Sequence, residues 1–275
     1  MDFKTVLVEM GDDEGGDARI EAAAALAALG GDGHVVGVTA TGFRPDPFRG
    51  AGEEAGRYAA QAEQRQQQRR AADEERLRRI VAQAAPGLSC AHMLLAEDPG
   101  WALALQGRLA DIILVARPPV PDLAPVLAAQ TAEYVLLNAG RPVLVLPPQV
   151  RRVEARHVAV AWDGRREAAR AVADALPLLR RAQRISLVSV DPEGRGVAQG
   201  DGLAAYLARH GIRAELVPVP TQEAVGPALL RAVGHLHADL LVAGGYGHSR
   251  VRELVMGGAT RVLMRHAEVP LLMSH

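Results

Sequence analysis

The sequence predicts an α/β protein of two tandem halves, each a five-stranded, mainly parallel sheet flanked by helices. Three observations indicate this fold class. Short apolar segments alternate with helical segments along the chain, one apolar segment occurs twice, and the run Gly244-Gly245-Tyr246-Gly247 directly follows an apolar strand. Strands separated by helices at this spacing imply right-handed crossovers and parallel pairing.

An internal duplication relates the two halves. Residues 110–116 (Ala-Asp-Ile-Ile-Leu-Val-Ala) and 238–244 (Ala-Asp-Leu-Leu-Val-Ala-Gly) lie 128 positions apart, as do residues 141–146 and 269–274. One constant separation over both segments indicates no insertion between them. We therefore predict two domains, residues 1–150 and 151–275. In this register Gly244, Gly247, Gly257 and Gly258 correspond to Ala116, Pro119, Ala129 and Gln130, so the first half has lost these glycines.

The first half is predicted to carry one insertion. The first strands of the two halves are 152 positions apart, whereas the later segments are 128 positions apart. The first half therefore contains 24 more residues than the second half between its first strand and residue 110. Its predicted strands are 5–9, 34–39, 89–95, 112–115 and 143–146. Residues 57–84, rich in Gln, Arg and Glu, predict a long polar helix. The pattern leaves open whether this helix is merely solvated or forms a partner surface.

The second half alternates regularly between strand and helix patterns. Its predicted strands are 158–161, 185–190, 212–219, 240–243 and 269–273, and its predicted helices are 165–181, 203–210, 222–237 and a segment after the glycines.

Bulk composition excludes some function classes. The chain is 49% hydrophobic with a formal net charge of -1, so no global positive field favours nucleic acid. No apolar run approaches the roughly 20 residues of a membrane span, and the start lacks the basic region of a signal peptide. We expect a cytoplasmic protein with no nucleic-acid or membrane partner.

A candidate ligand site lies where the predicted strands end. In parallel α/β sheets ligands bind outside the carboxyl ends of the strands, where Asp163, Val190 and the glycine run follow the first, second and fourth strands. Glycines allow backbone N–H groups to face an anion, and a helix starting near Ala259 would direct its positive end there. The pattern predicts a nucleotide-type ligand. Asp163 would contact a ribose, a base edge or a metal on the phosphates, or would instead cap the following helix.

Other polar residues near this site are less specific. His248 is one of several basic residues that could neutralise phosphate charge. The histidines do not form a metal constellation, since His235 and His237 face different sides of a helix and no cysteine supports them. We predict no metal site.

The order of Asp163, Gly244, Gly247, Gly257 after nine residues, and Val269-Pro270 resembles the universal stress protein family. The resemblance covers both halves and is specific in the second. It implies an adenine nucleotide alpha hydrolase-like fold and ATP binding, with Asp163 near the nucleotide and the Val190 backbone meeting adenine. It also implies that the phosphate and ribose are held by Gly244, Gly247, Gly257 and Gly258.

One departure from the family pattern concerns the last glycine. The family usually has Ser or Thr where this chain has Gly258, so a hydroxyl is lost. A hydrogen bond to a charged group contributes about 1.5–3 kcal/mol, which corresponds to roughly 10- to 100-fold in affinity. Thr260 either replaces this hydroxyl in part or points elsewhere.

The first half is not expected to bind ATP in the usual way. The position of Asp163 falls on Gly11, and Pro118-Pro119 removes two N–H donors from the loop. Its predicted role is to pair with the second half as a pseudo-dimer through the final strands, 143–146 and 269–273, as the family's pairing mode implies. Homodimerisation of two chains stays open.

Three functions remain for the whole chain. The leading hypothesis is a nucleotide-responsive stress protein that binds ATP or AMP in the second half, with or without Mg²⁺. The alternative is a scaffold of the same fold that acts through protein contacts. An ATP-using transferase is disfavoured, since Lys4 is the only lysine. No reaction centre is evident, and the glycine loop lacks the Gly-Lys-Ser/Thr ending of a P-loop. We predict no enzyme, although slow ATP hydrolysis stays open.

Overall fold

The computed structural model describes residues 2–42, 53–118, 131–190, 196–247 and 258–275 of the 275-residue chain. The elements of the first half are β1 (Thr5–Glu9), α1 (Gly16–Ala28), β2 (His34–Ala40), α2 (Glu53–Ala84), β3 (Ser89–Leu95), α3 (Pro99–Gly107), β4 (Ile112–Ala116), α4 (Thr131–Asn138) and β5 (Val143–Leu146). Those of the second half are β6 (His157–Ala161), α5 (Arg166–Leu179), β7 (Arg184–Val190), α6 (Gly196–Arg209), β8 (Glu215–Val219), α7 (Val225–Leu236), β9 (Leu240–Gly244), α8 (Ala259–His266) and β10 (Leu271–Ser274).

The predicted α/β alternation is confirmed. Helix α6 was expected at residues 203–210 and spans Gly196–Arg209. The largest error in a strand boundary has a clear cause. Strand β8 was expected to begin at residue 212 but begins at Glu215. The N–H of Ile212 donates to the carbonyl of Leu207, and Gly211 has a φ of +76°. These are the features of a glycine-terminated helix end, so Ile212 belongs to the closing turn of α6 rather than to the strand.

All ten strands form one sheet, in the order β3-β2-β1-β4-β5-β10-β9-β6-β7-β8. The two predicted five-stranded units are thus joined into one ten-stranded sheet. Neighbouring strands are parallel except at the centre, where β5 and β10 pair antiparallel. The expected contact between the final strands is thus present, and it takes the form of backbone pairing. The unpaired N–H and C=O groups of each final strand are satisfied by the other half.

A pseudo-twofold axis relates the halves at this central pair. Strands β4 and β9, helices α4 and α8, and strands β5 and β10 each match end to end at a separation of 128 positions. Leu144 of β5 lies opposite Leu272 of β10, and these two residues occupy equivalent positions in the two halves. Glu133 and Arg261 are also equivalents and pair side chain to side chain at 3.3 Å. Contacts between equivalent residues are typical of an isologous interface, and here that interface lies within one chain.

Each face of the sheet carries one continuous apolar layer that spans both halves. On one face α1, α2, α5 and α6 cover the sheet, with Ile20 and Leu207 among the buried residues. On the other face α3, α4, α7 and α8 do so, with Leu136 and Leu263 buried. Because both layers cross the β5–β10 pair, burial of apolar surface joins the two halves as well as backbone hydrogen bonds.

Among the side chains that the structure describes, those of the long helix α2 that are buried lie in its carboxyl-terminal part. Leu77, Ile80 and Val81 are buried against the body, and Asp73 accepts a hydrogen bond from the Thr39 hydroxyl at 2.9 Å. Residues 67–72 are all exposed. The helix is thus confirmed as long and polar, and its use as a partner surface stays a prediction.

Candidate functional site

A cleft in the second half lies at the carboxyl ends of β6, β7 and β9, between the first turns of α5 and α8 and one face of α7. Five residues predicted from the sequence meet in its lining: Asp163, Val190, Gly244, Gly247 and Thr260. Gly258 directly precedes Ala259, which also lines the cleft. Of the remaining predicted residues, His248 and Gly257 lie outside the described residues.

The cleft is small for a complete nucleotide. Its cavity volume is about 90 Å³, whereas pockets for small molecules usually measure roughly 300–1,000 Å³. Its inner wall is apolar, with Val188, Leu229 and Leu263 among the lining residues, and its rim is polar. The described walls therefore enclose only part of a nucleotide-sized ligand.

The glycines of the turn at residues 244–247, here called the glycine turn, are required for different reasons. A Cβ at Gly244 would lie 2.5 Å from the backbone nitrogen of Ala168, since α5 approaches the end of β9 closely. A Cβ at Gly245 would lie 2.5 Å from a methyl of Leu136 in the first half. Only Gly247 faces the cleft without backbone crowding. Two of the three glycines are therefore explained by packing, which the sequence pattern did not reveal.

Tyr246 adopts a left-handed backbone conformation, with a φ of +56°. Its N–H donates to the hydroxyl oxygen of Thr260, 3.0 Å away, and Thr260 is only 4% exposed. The hydroxyl of Thr260 thus holds the glycine turn against the start of α8. A hydroxyl that accepts one bond can still donate its own proton, so this contact is compatible with a second bond to a ligand.

The start of α8 presents backbone donors to the cleft. Gly258 is the N-cap, with φ −51° and ψ 157°, and no side chain caps the helix. The first N–H groups of a helix have no intrahelical acceptor, and the helix dipole places partial positive charge there. This end of α8 therefore suits an anionic or hydrogen-bond-accepting group, although it lacks the hydroxyl that Ser or Thr would supply at Gly258.

Asp163 organises the entrance to α5. Its carboxylate accepts from the backbone N–H of Arg165 at 3.0 Å and lies 3.6 Å from the Arg165 guanidinium. The same guanidinium donates to the carbonyl of Gly247 at 3.2 Å. Asp163 is half-exposed on the cleft rim. The structure thus gives Asp163 a turn-forming contact before α5. The predicted capping role is wrong, because the N-cap of α5 is Arg165 and no side chain of that residue caps the helix. The half-exposed carboxylate of Asp163 lies at the cleft rim instead.

Glu167 is a cleft residue that the sequence did not single out. It lies in the first turn of α5, is 5% exposed, and its carboxylate pairs with the Arg166 guanidinium. Burial favours a higher pKa for the Glu167 carboxyl, but hydrogen bonds from Arg166 and its own backbone, with the charge of Arg166, hold the pKa below its usual range. The cleft therefore contains an ionised carboxylate at neutral pH.

The described part of the equivalent region of the first half carries charged side chains. Glu9 stands where the second half has Ala161, and its carboxylate accepts from the N–H of Ala116 at 2.7 Å. Arg19, only 2% exposed, donates to the Glu9 carbonyl and forms two hydrogen bonds with Asp13. These charged groups therefore already have partners within the first half. Of the proline pair expected to remove loop donors, Pro119 lies outside the described residues.

The described residues offer neither a candidate metal site nor a candidate membrane span. Within residues 2–42, 53–118, 131–190, 196–247 and 258–275, no group of three or more His, Cys, Asp or Glu side chains could hold a metal ion. Among the same residues, no helix is both long and apolar enough to span a membrane.

Known proteins resemble this chain in structure rather than in sequence. No protein-family model and no curated protein matches it. A universal stress protein from Archaeoglobus fulgidus DSM 4304 aligns over 98% of this chain and 94% of its own, with a TM-score of 0.74 and 14% identity. A functionally unknown protein from Pseudomonas aeruginosa PAO1 covers 98% and 92%, with a TM-score of 0.57 and 14% identity. The cytoplasmic domain of a prokaryotic cation chloride cotransporter covers 98% and 95%, with a TM-score of 0.51 and 12% identity.

At these identities the likeness shows the fold, and that fold is the one of the universal stress proteins. More particularly, the chain has the tandem form of this fold, with two five-stranded units joined into one sheet.

Proposed function

We propose that this chain is a cytoplasmic tandem universal stress protein that binds an adenine nucleotide in its second half only. The observation that carries the proposal is the meeting of Asp163, Val190, Gly247 and Thr260 in one cleft at the carboxyl ends of the strands. Ligands of open α/β sheets bind at this edge. The backbone donors at the start of α8 would face the phosphate or ribose oxygens.

The restriction to one half is supported by the contrast between the two equivalent regions. The second half has a small alanine, Ala161, on the cleft wall. The first half has Glu9 there, next to the paired charges of Asp13 and Arg19. A carboxylate already bonded to Ala116 would repel a phosphate and block its donor. The first half would then act as the structural partner that completes the sheet.

The protein is proposed to be a binding protein rather than an enzyme. Nucleotide occupancy would change its shape or its choice of partner. The described cleft offers the carboxylates of Asp163 and Glu167, and neither has a histidine or lysine partner among its hydrogen bonds and ion pairs given above. Slow hydrolysis of bound ATP would be a side reaction of the site.

A second candidate is a scaffold that binds no nucleotide and acts through protein contacts. The small cavity, about 90 Å³, favours it, and so does the lack of a side-chain hydroxyl at the N-cap residue Gly258. In that case the fold would be retained for its surfaces, with the exposed part of α2 as the first place to look for a partner.

The substitution Gly247→Val tests the site directly. A Cβ at Gly247 would lie 3.1 Å from a Glu167 carboxylate oxygen and 3.4 Å from Arg165, so the branched side chain would fill the cleft mouth. We expect ATP affinity to fall at least about 100-fold, since close steric overlap removes binding, while the protein still melts cooperatively. Gly202→Val is the matched control, because a Cβ there meets nothing within 4 Å. Unchanged ATP affinity in Gly247→Val would refute the site.

A further inference from the structure

The most unusual group in the cleft is the buried carboxylate of Glu167. Its side chain is 6% exposed, and one carboxylate oxygen lies 3.1 Å from the position of a Cβ on Gly247. The charge therefore sits directly beside the glycine turn, where a phosphate would be held by backbone donors. Its ion-pair partner Arg166 is 83% exposed, so water screens much of the compensating positive charge.

The fold itself does not require an acid at this position. The equivalent residue of the first half is Gly15, which is 152 positions earlier and precedes the first turn of α1. Both halves nevertheless form a helix directly after their first strand, α1 after β1 and α5 after β6. The carboxylate is thus an addition of the second half, the half that keeps the cleft.

An ionised carboxylate at this site acts on any anionic ligand. Interactions between charges are several-fold stronger near a protein surface or interior than in bulk water, and they decay slowly over a few ångströms. The nearby guanidinium of Arg165 is already bonded to Asp163 and to the carbonyl of Gly247. Among the described residues that contact Gly247, Arg165 is the positive group. Shared in this way, its guanidinium offsets a single negative charge and not the several charges of a free polyphosphate.

We propose that Glu167 determines ligand specificity by selecting against uncompensated negative charge at the glycine turn, an inference that rests on the proposed adenine-nucleotide function. Without divalent cation, affinity decreases from adenosine through AMP and ADP to ATP. Mg²⁺ complexation of ATP removes most of this penalty, because it lowers the net charge that meets the carboxylate. The site then distinguishes Mg²⁺-bound from free nucleotide by charge alone.

Calorimetric titration of adenosine, AMP, ADP and ATP, each in EDTA and in excess Mg²⁺, tests this assignment in the full chain. Glu167→Gln keeps the size of the side chain and one acceptor oxygen and removes its charge. We expect it to raise ATP affinity in EDTA about tenfold or more and to leave adenosine affinity within about twofold. Glu167→Asp, which keeps a charge, should retain the wild-type order. Glu215→Gln, at the amino end of edge strand β8, is the control and should change nothing.

The outcomes separate the two proposals. If Glu167→Gln shifts adenosine and ATP by the same factor, or shifts neither, the charge-selection role is wrong while nucleotide binding stands. If the wild type shows no preference between free and Mg²⁺-bound ATP, the role is also wrong. If no adenine compound binds the wild type or either variant, the proposed function fails, and the inference fails with it.

Discussion

At the scale of single residues, the first half differs from the second in the charged groups near the carboxyl end of its first strand. Glu9 lies at the carboxyl end of β1 and accepts from Ala116. Burial raises the pKa of its carboxyl, and the charge of Asp13 raises it too, against the opposing effects of Arg19 and the Ala116 N–H. Glu9 is therefore a group whose ionisation opposes folding.

The direction of that shift predicts a pH dependence for Glu9→Gln. A carboxyl with a raised pKa in the folded chain contributes stability below its unfolded pKa, about 4.3 for Glu, and loses this contribution as the pH rises through the folded pKa. Glutamine keeps an acceptor for Ala116 without a charge. We expect the variant to be more stable than the wild type at pH 7 and equally stable near pH 4, as measured by urea unfolding across this range.

A nearby exposed carboxylate supplies the control for that series. Glu14→Gln should change the free energy of unfolding by less than about 0.5 kcal/mol at every pH, as is usual for surface substitutions. A stability difference between Glu9→Gln and the wild type that grows as the pH falls would contradict the assignment.

At the scale of secondary-structure elements, the pseudo-twofold axis implies that the two charged residues of the α4–α8 contact can be exchanged. Glu133 and Arg261 are equivalent positions, are 13% and 19% exposed, and pair across the axis. Glu133→Arg would place two guanidinium groups face to face and should cost about 2–4 kcal/mol, the scale for breaking a buried pair. Exchanging both residues re-forms the pair in the mirrored order and should restore stability to within about 1 kcal/mol.

Thermal and urea unfolding of the two single variants and the double variant measure this coupling. The exposed pair of Arg184 and Glu215 is the matched control, and reversal of one of its charges should cost less than about 1 kcal/mol. If the loss in free energy of unfolding of the double variant equals the sum of the losses of the two single variants, the two positions are not interchangeable. The pseudo-twofold axis then does not relate them.

How much of the fold and site was predictable from sequence also differs by element. The strands were predictable because each is a short apolar run bounded by turns, and β1, β3 and β5 match their predicted bounds. The contact of β5 with β10 was implied by the family resemblance. Its form, backbone pairing within a single ten-stranded sheet, was not predictable, since it depends on contacts between the halves and leaves no local pattern. In the same way Gly244 and Gly245 are glycines because of Ala168 and Leu136, residues far from them along the chain.

The candidate site was predictable in its position and in five of its lining residues, because parallel sheets place ligands at the carboxyl ends of strands. Glu167 was missed for a physical reason. An acid in the first turn of a helix is common and usually exposed, since it complements the helix dipole. Its burial follows from the approach of the glycine turn, which is about 80 residues later in the chain, and nothing local to α5 indicates it.

At the scale of the whole molecule, the two halves form one structural unit. Both apolar layers and the sheet cross the centre without interruption, so the first half supports the second whether or not it binds anything itself. A nucleotide at the second-half cleft would contact α5, α7 and α8 together. Glu133 on α4 contacts Arg261 on α8. A movement of α8 on ligand binding would therefore displace this ion pair and act on α4 of the first half.

Calorimetric titration of ATP with Mg²⁺ into nucleotide-stripped protein tests the central claim most directly. We predict saturation near one nucleotide per chain, because the first half has the Glu9 carboxylate where the second half has the cleft residue Ala161. Two nucleotides per chain would contradict the division of tasks between the halves. No binding up to millimolar ATP would contradict nucleotide binding altogether and would leave the scaffold function.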